Sequence, residues 1–408
     1  MISCGLIGAK LAHSYSPQIH ALFGSYPYKL YELREDEIGA FLKNGDWTAL
    51  NVTIPYKKTV LPFMDEVSET VRRTGSVNTI VKRPDGTLFG DNTDVYGFTG
   101  SVKHSGIEVR GKKTLILGSG GASVAVKEAL RLLGAETVVI SRSGENNYAN
   151  LDRHRDAEII VNTTPVGMFP KNGEAPVDVR IFPVLKGVFD LIYNPERTEL
   201  ILECEEAGIP AFNGLYMLVA QAKKSSELFT GTSIPDGEID RVCEKIGARM
   251  RNIVLIGMPG SGKSTIAKEI GRLTGRTVID TDVELSARCQ CPPEKLIEVC
   301  GEEGFRNLES EILASVAKLS GIVIATGGGI VTRERNYKPV RQNSFTVRIL
   351  RELGLLATKG RPLSKARPLA ELAAEREDFY RKFADATVLN DSTPEEAAAK
   401  IVRLAGLS

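Results

Sequence analysis

The chain has almost no excess charge of either sign. Over 408 residues, 52 lysines and arginines face 51 aspartates and glutamates, a formal net charge of +1. That balance offers no broad basic face for nucleic acid, so none is expected as a partner. No run approaches 18 consecutive apolar residues, so no membrane-spanning helix is expected. The opening Met1-Ile-Ser-Cys-Gly-Leu-Ile-Gly8 has no basic region leading into a long apolar stretch. No signal peptide is expected, and the cytoplasm is the expected location. Histidine is scarce: there are four, and none sits in a polar cluster with a carboxylate. Any proton transfer must therefore be sought in other side chains. Cysteine is sparse and scattered, at 4, 204, 243, 289, 291 and 300. Cys289, Cys291 and Cys300 lie near one another, but a tetrahedral zinc site wants a fourth ligand and no histidine lies beyond His154. Free thiols are the better reading. Hydrophobic content of 42% and charged content of 25% are ordinary for a globular chain, and the length suggests two or three domains.

What is present is a set of polar punctuations at the ends of apolar runs. Ile2–Gly8 reads as a strand, followed by Ser14-Tyr-Ser16-Pro17, where a proline opens a helix. N-capping would explain Ser16 but leaves Ser14 over. Ala49-Leu-Asn51-Val-Thr53-Ile-Pro55-Tyr-Lys57 alternates, which puts Asn51 and Thr53 on one strand face and Lys57 just past its end, where a helix is expected to begin. Ser76-Val-Asn78-Thr79-Ile80 is β-like with a polar centre, and Leu88–Gly97, with Asp91 and Asp94, reads as a polar loop. Together these stretches supply hydroxyls, amides, one lysine and two carboxylates, an inventory suited to a small polyhydroxylated anion. Hydride transfer to a ketone builds negative charge on oxygen and needs a proton donor. Lys57 oriented by Asp94 is the plausible pair.

Lys113–Leu117, then Gly118-Ser-Gly120-Gly121-Ala122-Ser123, then helix formers make a strand, glycine turn and helix. This is a dinucleotide signal with Ser123 in place of the third glycine. The next strand, Glu136–Ile140, ends in Ser141-Arg142 where NAD enzymes carry an acid. An arginine there suits a 2′-phosphate and favours NADP(H), the alternative being a solvated loop cation. Glu158–Val161 leads into Asn162-Thr163. Gly214 opens a helix on which Met217 and Gln221 share a face, Met217 being equally readable as core.

Ile253-Val-Leu-Ile-Gly257-Met-Pro-Gly260-Ser261-Gly262-Lys263-Ser264-Thr265 is a strand entering a Walker A loop and a helix. Its amides and Lys263 suit nucleotide phosphates, and Ser264 suits Mg²⁺. Arg276–Asp282 reads as a strand in which alternation puts Asp280 and Asp282 on one side. Arg306 stands near a helical start, Gly327-Gly328-Gly329 follow a strand, Arg361 lies in a basic proline-containing loop, and Arg376 lies on a helix.

The stretches Ala12–Pro17, Asn51–Lys57, Val77–Thr79, Gly90–Asp94, Gly118–Ser123, Val161–Met168 and Gly214–Gln221, in that order, resemble shikimate dehydrogenase. From Gly257 onward the chain resembles shikimate kinase. The first resemblance implies reduction of 3-dehydroshikimate to shikimate with NADPH, with Ser14, Ser16, Asn51, Thr53, Lys57, Asn78, Asp94, Tyr193 and Gln221 around the substrate. It also implies a dinucleotide held by Gly118, Gly120, Gly121, Ala122, Ser123, Ser141, Arg142, Asn162, Thr163, Gly214 and Met217. The second implies ATP and Mg²⁺ on Gly257, Gly260, Ser261, Gly262, Lys263, Ser264 and Thr265, with Asp280 helping hold the metal. Shikimate would be held by Asp282, Arg306, Gly327, Gly328, Gly329 and Arg376. Asp282 would accept from the attacking hydroxyl, and Arg361 would be a lid cation over the transferred phosphoryl group.

Three departures from these families stand out: Tyr15 between the two serines, no second arginine after Arg142, and short flanks around Arg361. The expected fold is α/β throughout: a substrate domain over 1–100 completed by 213–248, a Rossmann-like domain over 101–212, and a P-loop kinase with a parallel sheet over 250–408. The reading is a bifunctional enzyme of aromatic amino-acid precursor synthesis. A quinate-type oxidoreductase fused to a kinase for a related alcohol, or a silent regulatory fusion, are the alternatives. A homodimer is left open as the assembly.

Overall fold

Short β-branched runs, each ended by glycine or a polar residue, assemble into three sheets in the computed structural model, which describes residues 2–12, 14–356 and 368–407. Residue contacts divide the chain into two units. The first takes in Met1–Val166, Ala175–Tyr193 and Glu203–Ile246, and the second Gly167–Glu174, Asn194–Leu202 and Gly247–Ser408. Two stretches inside 101–212 thus group with the second unit.

The first unit holds two sheets. One contains β1 (Cys4–Gly8), β2 (Tyr28–Glu32), β3 (Ala49–Val52), β4 (Glu66–Val67), β5 (Thr79–Lys82) and β6 (Leu88–Asp91), in the order β2-β1-β3-β5-β6-β4. It is mixed, since β5 runs antiparallel to both β3 and β6. The other contains β7 (Lys113–Leu117), β8 (Glu136–Ile140), β9 (Ile159–Asn162), β10 (Gly187–Asp190) and β11 (Ala211–Phe212), in the order β11-β10-β9-β7-β8 and parallel throughout. Buried on both faces, residues 115–117 of β7 and residues 159–161 of β9 are unbroken apolar runs, as expected of central parallel strands. The strand order reverses between β7 and β9, the switch point where α/β sheets bind ligands beyond their carboxyl ends.

Two helices join these sheets. Asp94–Ser105 sends Val95, Phe98 and Val102 into the core of the parallel sheet, and Leu215–Thr230 adds Met217 there. Further along, Phe229 of the same helix packs with Cys4 and Ala49 of the mixed sheet. The helices approach closely because Gly97 has no side chain: a Cβ there would lie 2.7 Å from Met217 O and 3.0 Å from Gln221 Cβ.

The second unit carries β12 (Asn252–Ile256), β13 (Val278–Asp280), β14 (Val323–Ala325), β15 (Ser344–Leu350) and β16 (Ala386–Leu389), all parallel, in the order β13-β14-β12-β15-β16. Its two faces are filled separately. Ile253 and Leu255 pack with the helices Lys263–Thr274 and Pro394–Leu404, while Val254 and Ile256 pack toward Leu313, Tyr380 and Phe383.

Four local expectations are corrected. Leu88–Gly97 is not a loop: β6 ends at Asp91 and Asp94 is the first residue of a helix. Lys57 sits in a run of turns, with only a 3-10 turn at Leu61–Phe63 beyond it. Ser16 does not cap its helix; it lies inside it, and the Ser14 hydroxyl accepts from the Ser16 N–H at 3.2 Å. Alternation does not relate Asp280 to Asp282, because β13 ends at Asp280, which caps the helix Thr281–Cys289 by accepting from the Asp282 N–H at 3.0 Å.

Gly97→Ala is expected to overpack this helix crossing by about 1–3 kcal/mol. Calorimetry should show the first unit melting several degrees lower with the second unit's transition unmoved; an unchanged first transition would refute the close-approach argument.

Candidate functional sites

In the first unit, Lys57 Nζ donates to Asp94 Oδ2 at 2.6 Å, with the two side chains 18% and 10% exposed. The other carboxylate oxygen, Oδ1, accepts from Asn78 Nδ2 at 2.9 Å. Asn78 is held in turn, its Oδ1 accepting from the Thr93 N–H at 2.7 Å and from the Thr79 hydroxyl at 3.0 Å. A backbone N–H can only donate, so this contact decides which way the Asn78 amide faces. Asp94 also opens a helix, where the dipole favours negative charge. The result is an ammonium at a carboxylate that cannot turn away.

Other predicted substrate residues gather differently. Gln221 is half-buried, with its Nε2 on Leu218 O at 2.8 Å and Oε1 3.5 Å from Thr93 Oγ1. Asn51 faces inward: it is buried, its Nδ2 donates to Ser225 Oγ at 2.8 Å, and its Oδ1 accepts from the Tyr28 hydroxyl at 2.8 Å. Thr53 follows the end of β3. Tyr193 packs edge-on to Tyr15, the residue between the two serines, with ring centroids 6.3 Å apart. Burial raises the Tyr193 phenol above its ordinary range, so it stays a neutral hydroxyl.

The dinucleotide region fits a pyrophosphate by shape. Gly118 adopts φ +104° at the end of β7, and a Cβ there would lie 2.8 Å from Thr163 Oγ1. Beyond it nothing lies within 4 Å of a Cβ built at Gly120 or Gly121, and the helix Gly121–Leu132 starts with no side-chain cap. Open space above uncapped N–H groups is what an anion fills. Ser123, standing for the third glycine, turns its hydroxyl onto Gly120 O at 2.6 Å. Arg142 is exposed after β8, beside Ser141. Asn162 and Met217 are both buried here. Asn162 is fully buried, donating to Asp190 Oδ1 at 2.9 Å, and Met217 lies in the core. Gly214 is required by close approach, since a Cβ would lie 2.0 Å from Leu191 O.

In the second unit the loop after β12 holds Gly257, Gly260 and Gly262 at φ +145°, +86° and +98°, backbone that side chains rarely tolerate. Lys263 Nζ donates to Gly257 O at 2.9 Å and Met258 O at 3.0 Å, which suspends the ammonium over the loop. Ser264 Oγ donates to Asp280 Oδ2 at 2.5 Å, so the two groups expected near a metal already touch. Among the described residues no cluster of three histidine, cysteine or acidic side chains could hold a metal by itself. Mg²⁺ bound largely through phosphates and one hydroxyl needs no such cluster. Cys289 and Cys291 pack against an apolar cluster around Leu285 and Phe305.

Beside this loop, Gly327, Gly328 and Gly329 form a tight floor. A Cβ on Gly327 would lie 2.6 Å from Glu309 Oε1 and 2.8 Å from Asp282 Oδ1; one on Gly329 would lie 2.0 Å from Arg306 Nη1. Arg376 Nη1 and the Tyr380 hydroxyl both donate to Gly328 O, at 3.0 and 2.8 Å. Arg376 Nε is buried with no hydrogen-bond partner among the described residues. Arg306 is buried and donates to Glu309 Oε2 at 2.6 Å. Burial raises the Glu309 carboxyl above its ordinary range, with Arg306 opposing the shift. Neither Glu309 nor Tyr380 is given a role from the sequence. The three-residue spacing from Arg306 and the four-residue spacing from Arg376 are the signals that could have found them. Arg361 lies outside the described residues.

Two family models match. The shikimate dehydrogenase substrate binding domain covers residues 6–80, and shikimate kinase covers residues 259–405. The shikimate dehydrogenase (NADP(+)) of Clostridium beijerinckii is 35% identical over 245 residues, 55% of this chain and 90% of that protein. The enzyme of the same name from Carboxydothermus hydrogenoformans is 38% identical over 259 residues, 57% of this chain and 92% of that one. Among solved structures, a chorismate mutase/shikimate 5-dehydrogenase fusion protein from Clostridium acetobutylicum aligns with a TM-score of 0.57 at 36% identity, covering 60% of this chain and 97% of its own. The shikimate 5-dehydrogenase of Thermus thermophilus in complex with NADP(H) and shikimate aligns with a TM-score of 0.55 at 30% identity, covering 60% of this chain and 98% of its own. On these matches the chain belongs to the shikimate dehydrogenase family and continues, over residues 259–405, as a shikimate kinase domain.

Proposed function

We propose that the chain carries out two consecutive steps: NADPH-dependent reduction of 3-dehydroshikimate to shikimate, then ATP-dependent phosphorylation of shikimate. The observation that carries the first step is the 2.6 Å contact between Lys57 Nζ and Asp94 Oδ2. NADPH, when bound, supplies the hydride. As the ketone oxygen gains charge, Lys57 gives it a proton; in the oxidative direction Lys57 takes the proton back. Asp94, fixed by Asn78, keeps the ammonium aimed. Ser14 and Ser16 would hold the substrate carboxylate, and Gln221 one of its hydroxyls. The exposed Arg142 supports NADP over NAD.

For the second step, ATP with Mg²⁺ supplies the phosphoryl group. The loop Gly257–Thr265 and Lys263 would cradle its phosphates, and Ser264 with Asp280 would hold the metal. Asp282 would accept the proton of the attacking hydroxyl. Arg306 and Arg376, with the glycine floor between them, would hold the shikimate carboxylate. Positioning and neutralisation of charge are most of what phosphoryl transfer asks of a protein. The quinate-type alternative is decided by comparing quinate and shikimate rates. Both substrates are small metabolites, which supports the cytoplasm as the location.

The direct test is a coupled assay in which 3-dehydroshikimate, NADPH and ATP give shikimate 3-phosphate with one purified chain; accumulation of shikimate alone would refute the second step. Lys57→Ala is expected to lower dehydrogenase turnover by about 10²–10⁴-fold with shikimate binding nearly intact. Retained turnover would remove Lys57 from this role. Arg361→Ala should cut kinase turnover more than shikimate affinity, and a loss confined to affinity would contradict a lid role.

A further inference from the structure

The dehydrogenase site rests on a buried polar connection that no motif announces. Ser225 lies on the helix Leu215–Thr230, four residues beyond Gln221 and on the same face. It is fully buried. Its Oγ is 2.8 Å from Asn51 Nδ2, 2.9 Å from Thr79 Oγ1 and 3.1 Å from Thr93 Oγ1. These partners come from three other places: β3, β5 and the turn that opens the helix at Asp94.

The protons can be assigned. Tyr28 donates to Asn51 Oδ1, so the Asn51 amide presents Nδ2 to Ser225, which accepts. Thr79 spends its hydroxyl proton on Asn78 Oδ1 at 3.0 Å, and the Thr93 hydroxyl faces two acceptors, Asn78 Oδ1 at 3.2 Å and Gln221 Oε1 at 3.5 Å. The single Ser225 proton is therefore left for a threonine oxygen, the nearer being Thr79. Ser225 is the junction at which the helix bearing Gln221 is hydrogen-bonded to the groups that fix Asn78, and Asn78 fixes Asp94.

We infer that Ser225 is a positioning residue of the dehydrogenase: its buried hydroxyl locks the helix carrying Gln221 in register with the Asn78–Asp94–Lys57 chain. The inference rests on the dehydrogenase reading above. Without the hydroxyl, Asn51 Nδ2 and the two threonines lose their shared partner. The helix keeps its apolar packing and the Ser226 contacts with Tyr26 and His20, but it loses the directed bonds that tie it at Ser225 to the groups fixing Asn78. Displacements of about 1 Å can cost about a hundredfold in rate, and a loosened register should cost part of that.

The test uses the full chain with shikimate and NADP⁺, comparing wild type, Ser225→Ala and Ser226→Ala. Ser226 is an equally buried neighbour whose hydroxyl contacts Tyr26 and His20 rather than the Asn78 chain. Ser225→Ala is expected to lower kcat/KM about tenfold and to displace its acidic pH limb, while kinase turnover in the same chain is unchanged. Ser226→Ala should melt lower to a similar degree yet keep kcat/KM within about twofold. If Ser225→Ala does not fold, Ser225→Cys, of similar size and weaker as a donor, takes its place in the same assay. A kcat/KM within twofold of wild type with a superimposable pH profile overturns the inference, as does an equal loss in Ser226→Ala. A wild-type chain that fails to oxidise shikimate would instead overturn the dehydrogenase reading, and it is read before either variant.

Discussion

A carboxylate with no freedom to turn is the constraint on which the first unit depends. Asp94 begins a helix, leans one oxygen on Lys57 and has the other on Asn78. A lysine beside a mobile acid would share its charge among several geometries, and proton transfer would be correspondingly poorly aimed. Here the aim is set in the backbone: the Thr93 N–H fixes the Asn78 amide, and the amide fixes the acid. Each link is a short polar contact shielded by apolar neighbours, where a satisfied bond is strong and an unsatisfied one is costly.

The second unit solves a different problem with the same economy. Its glycine floor is backbone, three glycines whose carbonyl and amide groups are held from outside. The Gly327 N–H donates to Thr281 Oγ1 at 3.1 Å, and Gly328 O is gripped by two side chains of one helix, Arg376 and Tyr380. Arg348 stacks over the Tyr380 ring, 5.1 Å from its centroid, and pairs with Glu377. Charge is thereby spread behind the floor as well as on it.

Much of this was legible in the sequence, and the limits have physical causes. The Walker loop declared itself because only glycine takes the backbone angles at 257, 260 and 262. Strands such as Ile253–Ile256 declared themselves because burial on both faces demands unbroken apolar residues. The pairing of Lys57 with Asp94 followed from a shortage of other proton carriers. The Asp94 helix was missed because the residues leading into it read Asp-Asn-Thr-Asp, polar chemistry shared by turns and helix starts. Asn51 illustrates a further limit: sequence named it as polar beside a site, but its inward orientation depends on Tyr28 and Ser225, 23 and 174 residues away. The strand relation assumed for Asp280 and Asp282 failed because a capping aspartate ends a period of two.

The Walker loop has one more anchor. Asn390, just past β16, donates its amide to Ser261 O at 2.8 Å, and a Cβ at Gly262 would lie 2.5 Å from the same nitrogen. The two partners are 129 residues apart, and the anchor stands close to the chain's last helix. During synthesis the loop leaves the ribosome long before the residue that braces it. The glycines must wait, unbraced, until 129 further residues have been made, whereas every strand of the first unit's sheets is already out. The order in which the two activities mature on a growing chain is thus written into how far the bracing asparagine follows its loop.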